Sequence, residues 1–238
     1  MVKKSQKKKN NFSRTTTEII SNQINLKKIC IFILIGYVFL TFLFYFLAGE
    51  QLHFRASRGN IKMPSPNFGT VELVTGAKVE QTFTADIQRL KQVSVIWGTY
   101  GRKNEGTVLL ELYNMTTNDL IMSQKLDASK LSEGQVTTMT SNQYLENLYG
   151  VPLRLCITSP DSVTGSAVSP LMKTDEQPKP GFQLYLNGKP TNGMLSFSVQ
   201  GQDYIWIGLH YWTFAAIGAI VLSVYLLYIV ICEKKTES

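Results

Sequence analysis

Hydrophobic and polar positions fall into three patterns along this chain. Residues 29–49 (ICIFILIGYVFLTFLFYFLAG) and 211–232 (YWTFAAIGAIVLSVYLLYIVIC) are apolar runs of 21 and 22 positions without a charged side chain. At about 1.5 Å per helical residue the shorter run reaches roughly 31 Å, the thickness of a bilayer's hydrocarbon core. Each therefore predicts a membrane-spanning helix. Between them apolar and polar residues alternate with a period of two, as in strands with one face on a core. The clearest cases are Val108/Leu110/Leu112, Leu153/Leu155/Ile157, Phe182/Leu184/Leu186 and Leu195/Phe197/Val199. Segments 70–75, 79–85, 92–100, 119–126 and 134–141 continue the pattern, with turns bearing Gly, Asn, Asp or Pro between them.

Short strands with hardly any helical period between them predict antiparallel sheets rather than an α/β fold with crossover helices. The expected fold class is a membrane-anchored all-β protein, an antiparallel jelly-roll-like β-sandwich over residues 70–204 flanked by two transmembrane helices. A helical turn is expected around 141–149. Residues 169–181 (SPLMKTDEQPKPG), with three prolines and mixed charge, are expected to form the longest loop. Residues 50–69 read as a juxtamembrane connector. Residues 1–28, rich in Lys, Asn, Ser, Gln and Thr, have too little apolar content for a core and read as largely disordered, with 18–28 suited to extending the first helix. An aromatic-rich approach at 205–210 leads into the second span, and 233–238 form a short tail.

The net charge of +7 suggests a nucleic-acid partner until it is located along the chain. Residues 1–28 carry eight Lys/Arg against Glu18, 8 − 1 = +7, whereas residues 50–204 carry fourteen of each sign. Basic residues flanking a span stay on the cytoplasmic side. The expected topology is thus a two-pass protein of the cell membrane with both termini cytoplasmic and residues 50–204 outside. The basic segment is then explained by topology and by anionic lipid headgroups, so the lipid bilayer and not nucleic acid is its partner. A cleaved signal peptide is the alternative for the first span, since Leu47-Ala48-Gly49 offers small residues. The run exceeds the roughly 7 to 15 apolar positions of such peptides and follows a long basic region, which favours an uncleaved anchor.

Cys30 and Cys232 lie at the cytoplasmic ends of the two spans, and Cys156 stands alone between them, so no intrachain disulfide is expected outside. That suits a bacterial surface better than a eukaryotic secretory route. Asn114-Met115-Thr116 matches a glycosylation sequon, which matters only in a host with that machinery.

Trp206, Tyr211 and Trp212 read as an interfacial belt, because aromatic rings with a polar edge settle at headgroup level. His53 and His210 both fall next to a span, yet no H-x-x-x-H, C-x-x-C or His/carboxylate spacing accompanies them, so neither a metal nor a cofactor is expected. No G-x-S-x-G elbow and no Cys with a credible His partner point to a hydrolase. Two carboxylates brought together from distant strands, about 5 to 10 Å apart as in glycosidases, stay open on sequence grounds.

The most distinctive segment is 93–113, VSVIWGTYGRKNEGTVLLELY, in which two strands flank a turn. It resembles the extracytoplasmic β-sandwich modules of Gram-positive membrane proteins of cell-surface polysaccharide assembly, whose strands bear a similar aromatic-rich turn. The stretch 181–188 (GFQLYLNG) with 193–197 (GMLSF) resembles the closing strands of those modules. The many-helix catalytic part of the larger members has no counterpart in these residues. The resemblance implies a non-catalytic accessory subunit that contacts a cell-surface glycan or a multi-span polysaccharide-assembly protein. Tyr100, Arg102 and Asn104 are the candidate ligand-contacting residues: an aromatic face suits sugar C–H patches, and planar hydrogen-bonding groups suit sugar hydroxyls. A hairpin turn with Asn104 in a left-handed position accounts for the same residues without a ligand. An adhesion or sensing protein and a glycan hydrolase are the alternative functions.

Overall fold

The computed structural model describes residues 3–59, 61–175 and 179–236, without the side chains of 3–25 and 236. The chain divides into a helical unit, made of the segments up to His53 and from Ile205 onward, and a β unit, Phe54–Tyr204.

The helical unit is built on α1 (Lys3–Ala48) and α4 (Tyr211–Thr236), with single-turn helices α2 (Glu50–His53) and α3 (Trp206–Leu209) beside them. Within α1 and α4, Leu26–Ala48 and Tyr211–Lys235 are long and apolar enough to cross a membrane, each with a mean hydropathy of 2.6. Only 6% of either window is buried, the reverse of a core helix in a soluble protein. Helix α1 also takes in most of the segment whose composition suggested disorder. Neither Pro nor Gly occurs before Gly36, and Lys and Gln are good helix formers, so nothing interrupts the helix that the apolar run propagates.

The two long helices meet through small residues and hydroxyls. Tyr37 donates its hydroxyl hydrogen to the Ala215 carbonyl (2.9 Å), and Tyr211 donates to the Thr41 carbonyl (2.7 Å). A Cβ on Gly218 would stand 2.3 Å from the Tyr37 hydroxyl, so glycine there makes the approach possible.

In the β unit every strand pair is antiparallel. The strands are β1 (Phe54–Ser57), β2 (Phe68–Gly69), β3 (Lys78–Thr84), β4 (Arg89–Gly98), β5 (Thr107–Asn114), β6 (Leu120–Asp127), β7 (Val136–Glu146), β8 (Pro152–Thr158), β9 (Ser169–Lys173), β10 (Gln183–Leu186), β11 (Lys189–Thr191), β12 (Met194–Leu195) and β13 (Phe197–Tyr204). One sheet runs β1-β13-β4-β9-β12, with β7 also on β4 and β2 on β9; the other runs β11-β10-β3-β8-β5-β6. Alternate residues of both enter one buried cluster, including Val93, Val95, Trp97, Phe197 and Val199 from the first sheet and Phe83, Leu110, Leu112 and Leu155 from the second. The Phe83 and Phe197 rings, one from each sheet, lie 5.1 Å apart. The arrangement is sandwich-like, and the period-two pattern predicts its inward faces correctly.

Several local expectations are corrected. Residues 70–75 form no ladder; instead the Thr70 and Leu73 amides donate singly to the Pro170 and Val168 carbonyls (3.0 and 2.9 Å). The expected proline-rich loop begins with β9, whose Ser169, Pro170 and Met172 are buried. Pro170 lacks an N–H, but its carbonyl accepts from both the amide and the hydroxyl of Thr70. The expected helical turn at 141–149 is largely β7: Leu145 pairs with Leu90 beside a bulge and packs on the core. Within the presumed connector, Phe54–Ser57 pairs with β13 and Ile61 is 1% exposed. The strands before and after the distinctive turn, β4 and β5, belong to different sheets, so residues 99–106 form an arch between sheets and not a hairpin.

Candidate functional site

The arch begins where β4 ends at Gly98. Tyr100 and Gly101 both have positive φ, 57° and 65°, and the Arg102 amide donates to the Thr99 carbonyl (3.3 Å). This is the backbone pattern of a type I′ turn, which ordinarily selects Asn, Asp or Gly. Tyr100 is thus a bulky residue in a left-handed position, and Asn104 is not in one.

Two acids from elsewhere in the chain hold the arch. Glu133 accepts from the Thr99 amide (2.6 Å) and the Thr99 hydroxyl (3.0 Å). The Thr99 amide, followed by the Thr99 hydroxyl and the Tyr100 and Gly101 amides, holds the Glu133 carboxyl below its ordinary range, against a smaller opposing effect of burial. Glu72 accepts from the Arg102 guanidinium with one oxygen and from the Gly165 amide with the other (3.1 Å). Its carboxyl is lowered chiefly by the Arg102 hydrogen bond. Arg102 also donates to the Ala167 carbonyl (3.2 Å), and its guanidinium carbon sits 4.7 Å from the centre of the Tyr100 ring.

Of the three residues expected to contact a ligand, the structure exposes Tyr100 (50%) and part of Arg102. Asn104 is corrected to an internal staple. It is buried, and its amide donates to the Thr99 and Arg102 carbonyls (3.3 and 3.2 Å). Gly106 closes the arch at φ 97°, where a Cβ would stand 2.4 Å from the Ser162 hydroxyl. Glu72, Glu133 and Ala167 carry no local signal in the sequence, since they act through a fold that brings residues 30 or more positions away to the arch.

Among the described residues the shifted carboxyls, Glu72, Asp127, Glu133 and Asp161, are all lowered by hydrogen bonds and stay ionised. A glycosidase acid needs a carboxyl raised by its surroundings. Burial pushes the Cys156 thiol up to about 11, which disfavours the nucleophilic thiolate. No group of three His, Cys, Asp or Glu side chains has metal-binding geometry among the described residues. His53 packs edge-on against Tyr45 (5.5 Å), and His210 lies beside Trp206 (5.2 Å).

The residues expected to form an interfacial belt differ in their surroundings. Trp206 and Trp212 are both exposed, Trp206 against Phe214 and Trp212 against Phe42 and Tyr45, and Tyr211 joins the two helices as described above.

No family model and no curated protein matches the chain. Among solved structures, a chain in "Structure of infectious bursal disease virus Gt strain" aligns at 12% identity with a TM-score of 0.27, covering 64% of this chain and 42% of that one. This chain therefore spans less than half the length of that match, and a likeness at this score carries no argument.

Proposed function

We propose that the protein is a two-pass membrane protein whose outward-facing β unit, a jelly-roll-like sandwich, contacts a cell-envelope glycan and serves a multi-span polysaccharide-assembly protein as a non-catalytic accessory subunit. The topology rests on two uncharged spans and the +7 confined to residues 1–28. The polysaccharide setting rests on the resemblance of segments 93–113 and 181–197 to modules of that class.

One observation carries the contact reading. Tyr100 is held exposed in a backbone conformation that disfavours it, with a guanidinium fixed beside its ring by Glu72. Strain of this kind persists where the surroundings over-determine it and concentrates at binding surfaces. An aromatic face beside a guanidinium meets both the C–H and the hydroxyl groups of a sugar.

The test is binding of the purified full-length protein to cell-wall polysaccharide, with Tyr100→Ala and Arg102→Lys compared by thermal melting. A loss of about tenfold or more in binding is expected for both, with an unchanged melt for Tyr100→Ala. Wild-type protein that binds no polysaccharide, or variants that bind like wild type, would remove the reading.

A further inference from the structure

A second feature lies on the opposite face of the first sheet from the core. Ser94 of β4 stands in register with Thr138 of β7 on one side and Ser198 of β13 on the other, so three short hydroxyl side chains form a row across three strands. Short side chains leave a trough, which Arg58, Ile61, Lys62 and Met63 also border. The groove, partly open to solvent, measures about 450 Å³ and is lined also by Val136 and Gln200. That volume lies within the range of small-ligand sites.

Three properties of the lining define what fits. Arg58 and Lys62 contribute two cations, and no acid lines the groove. Among the described residues neither cation has a carboxylate partner; Asp86 lies against Gly59 but is not part of the lining. The Ser94 and Thr138 hydroxyls bond each other (2.8 Å). The Ser198 hydroxyl makes no side-chain hydrogen bond among the described residues and borders the groove, where a ligand oxygen can meet it. Ile61, Met63 and Val136 add apolar wall. Paired cations select an anion, the hydroxyls and the Gln200 amide select a polyol, and the apolar wall suits its C–H faces.

We propose that this groove is a binding site for an anionic polyol, a sugar unit carrying a phosphate or carboxylate group. The site is separate from the arch, and it extends the glycan-contact reading by naming an acidic saccharide as ligand.

The probe is glucose 1-phosphate, followed by ligand-observed NMR with the full-length protein in nanodiscs of phosphatidylcholine. Saturable binding is expected, weakened about tenfold or more by Arg58→Gln with Lys62→Gln and by less in Ser198→Ala. Arg58 and Lys62 are exposed, so the thermal melt should be unchanged in that double variant. Tyr100→Ala should leave this binding intact, which separates failure of the groove from failure of the arch. Discs containing phosphatidylglycerol distinguish the two natural sources. If they leave the signal unchanged the occupant is a saccharide, as proposed, and if they abolish it the occupant is a lipid headgroup, which overturns the acidic-saccharide assignment. No saturable binding, equal binding of inorganic phosphate or of glucose alone, or undiminished binding by the double variant would overturn the proposal.

Discussion

Tyr100 costs the fold stability that Asn or Gly at the same position would not. A non-glycine residue at φ 57° is disfavoured by about 1 kcal/mol, less for Asn, whose side chain tolerates the left-handed region. Tyr100→Asn is therefore expected to raise the melting temperature while weakening binding to polysaccharide. Unchanged or improved binding would mean that the tyrosine is merely tolerated. The acids around it set a pH dependence. Glu72 and Glu133 titrate lower in the folded state than the roughly 4.3 of an unfolded glutamate. Their stabilisation is complete above that value and is lost as the pH falls through the lowered folded values. Amide hydrogen exchange at residues 99–102 should therefore lose protection on acidification from about pH 5 to about pH 3. Glu133→Gln should remove most of that step, and protection independent of pH would contradict the assignment.

At the scale of elements, the strand phases make the sharpest claim. Leu110 and Leu155 are fully buried, so Leu110→Asp or Leu155→Asp introduces an unpaired charge into the core and should unfold the β unit, at a cost of several kcal/mol. Glu111, one position out of phase, should tolerate Ala within about 0.5 kcal/mol. Arg154 is less neutral than its phase suggests, since it contacts Glu80 (3.6 Å) and the Tyr113 ring (5.1 Å). Equal chemical-denaturation midpoints for Leu155→Asp and Glu111→Ala would contradict the register. These phases were legible in the sequence because burial on one face imposes a period of two. What stayed hidden has equally physical reasons. Pattern shows which face of a strand is buried but not which sheet the strand joins, so the 99–106 arch passed for a hairpin. The SPLMK strand lacked alternation because it is buried on more than one side. Tyr144 and Leu145 mimic part of a helical stripe, although a bulge beside the Leu90–Leu145 pair accommodates them in β7. Of the three residues proposed from residue type to contact a ligand, Tyr100 is exposed and Arg102 partly so. The sequence reading placed Asn104 wrongly because an asparagine that caps a turn from inside looks the same in sequence as one at its tip.

At the scale of the whole molecule, two helices long and apolar enough to cross a bilayer bracket a β unit, and over residues 50–204 Lys/Arg and Asp/Glu balance at fourteen each. The proposed glycan role, the groove and the accessory relation to a multi-span protein all require that this unit face outward, the central claim of the account. Its most direct test is thiol labelling of intact cells by a membrane-impermeant maleimide, in a background with Cys30, Cys156 and Cys232 replaced by Ala. Thr117, exposed in the turn between β5 and β6, and Ser5, in the basic segment, are converted in turn to Cys. The account predicts that Thr117→Cys is labelled on intact cells and Ser5→Cys only after lysis, whereas labelling of Ser5→Cys from outside with Thr117→Cys protected would contradict it.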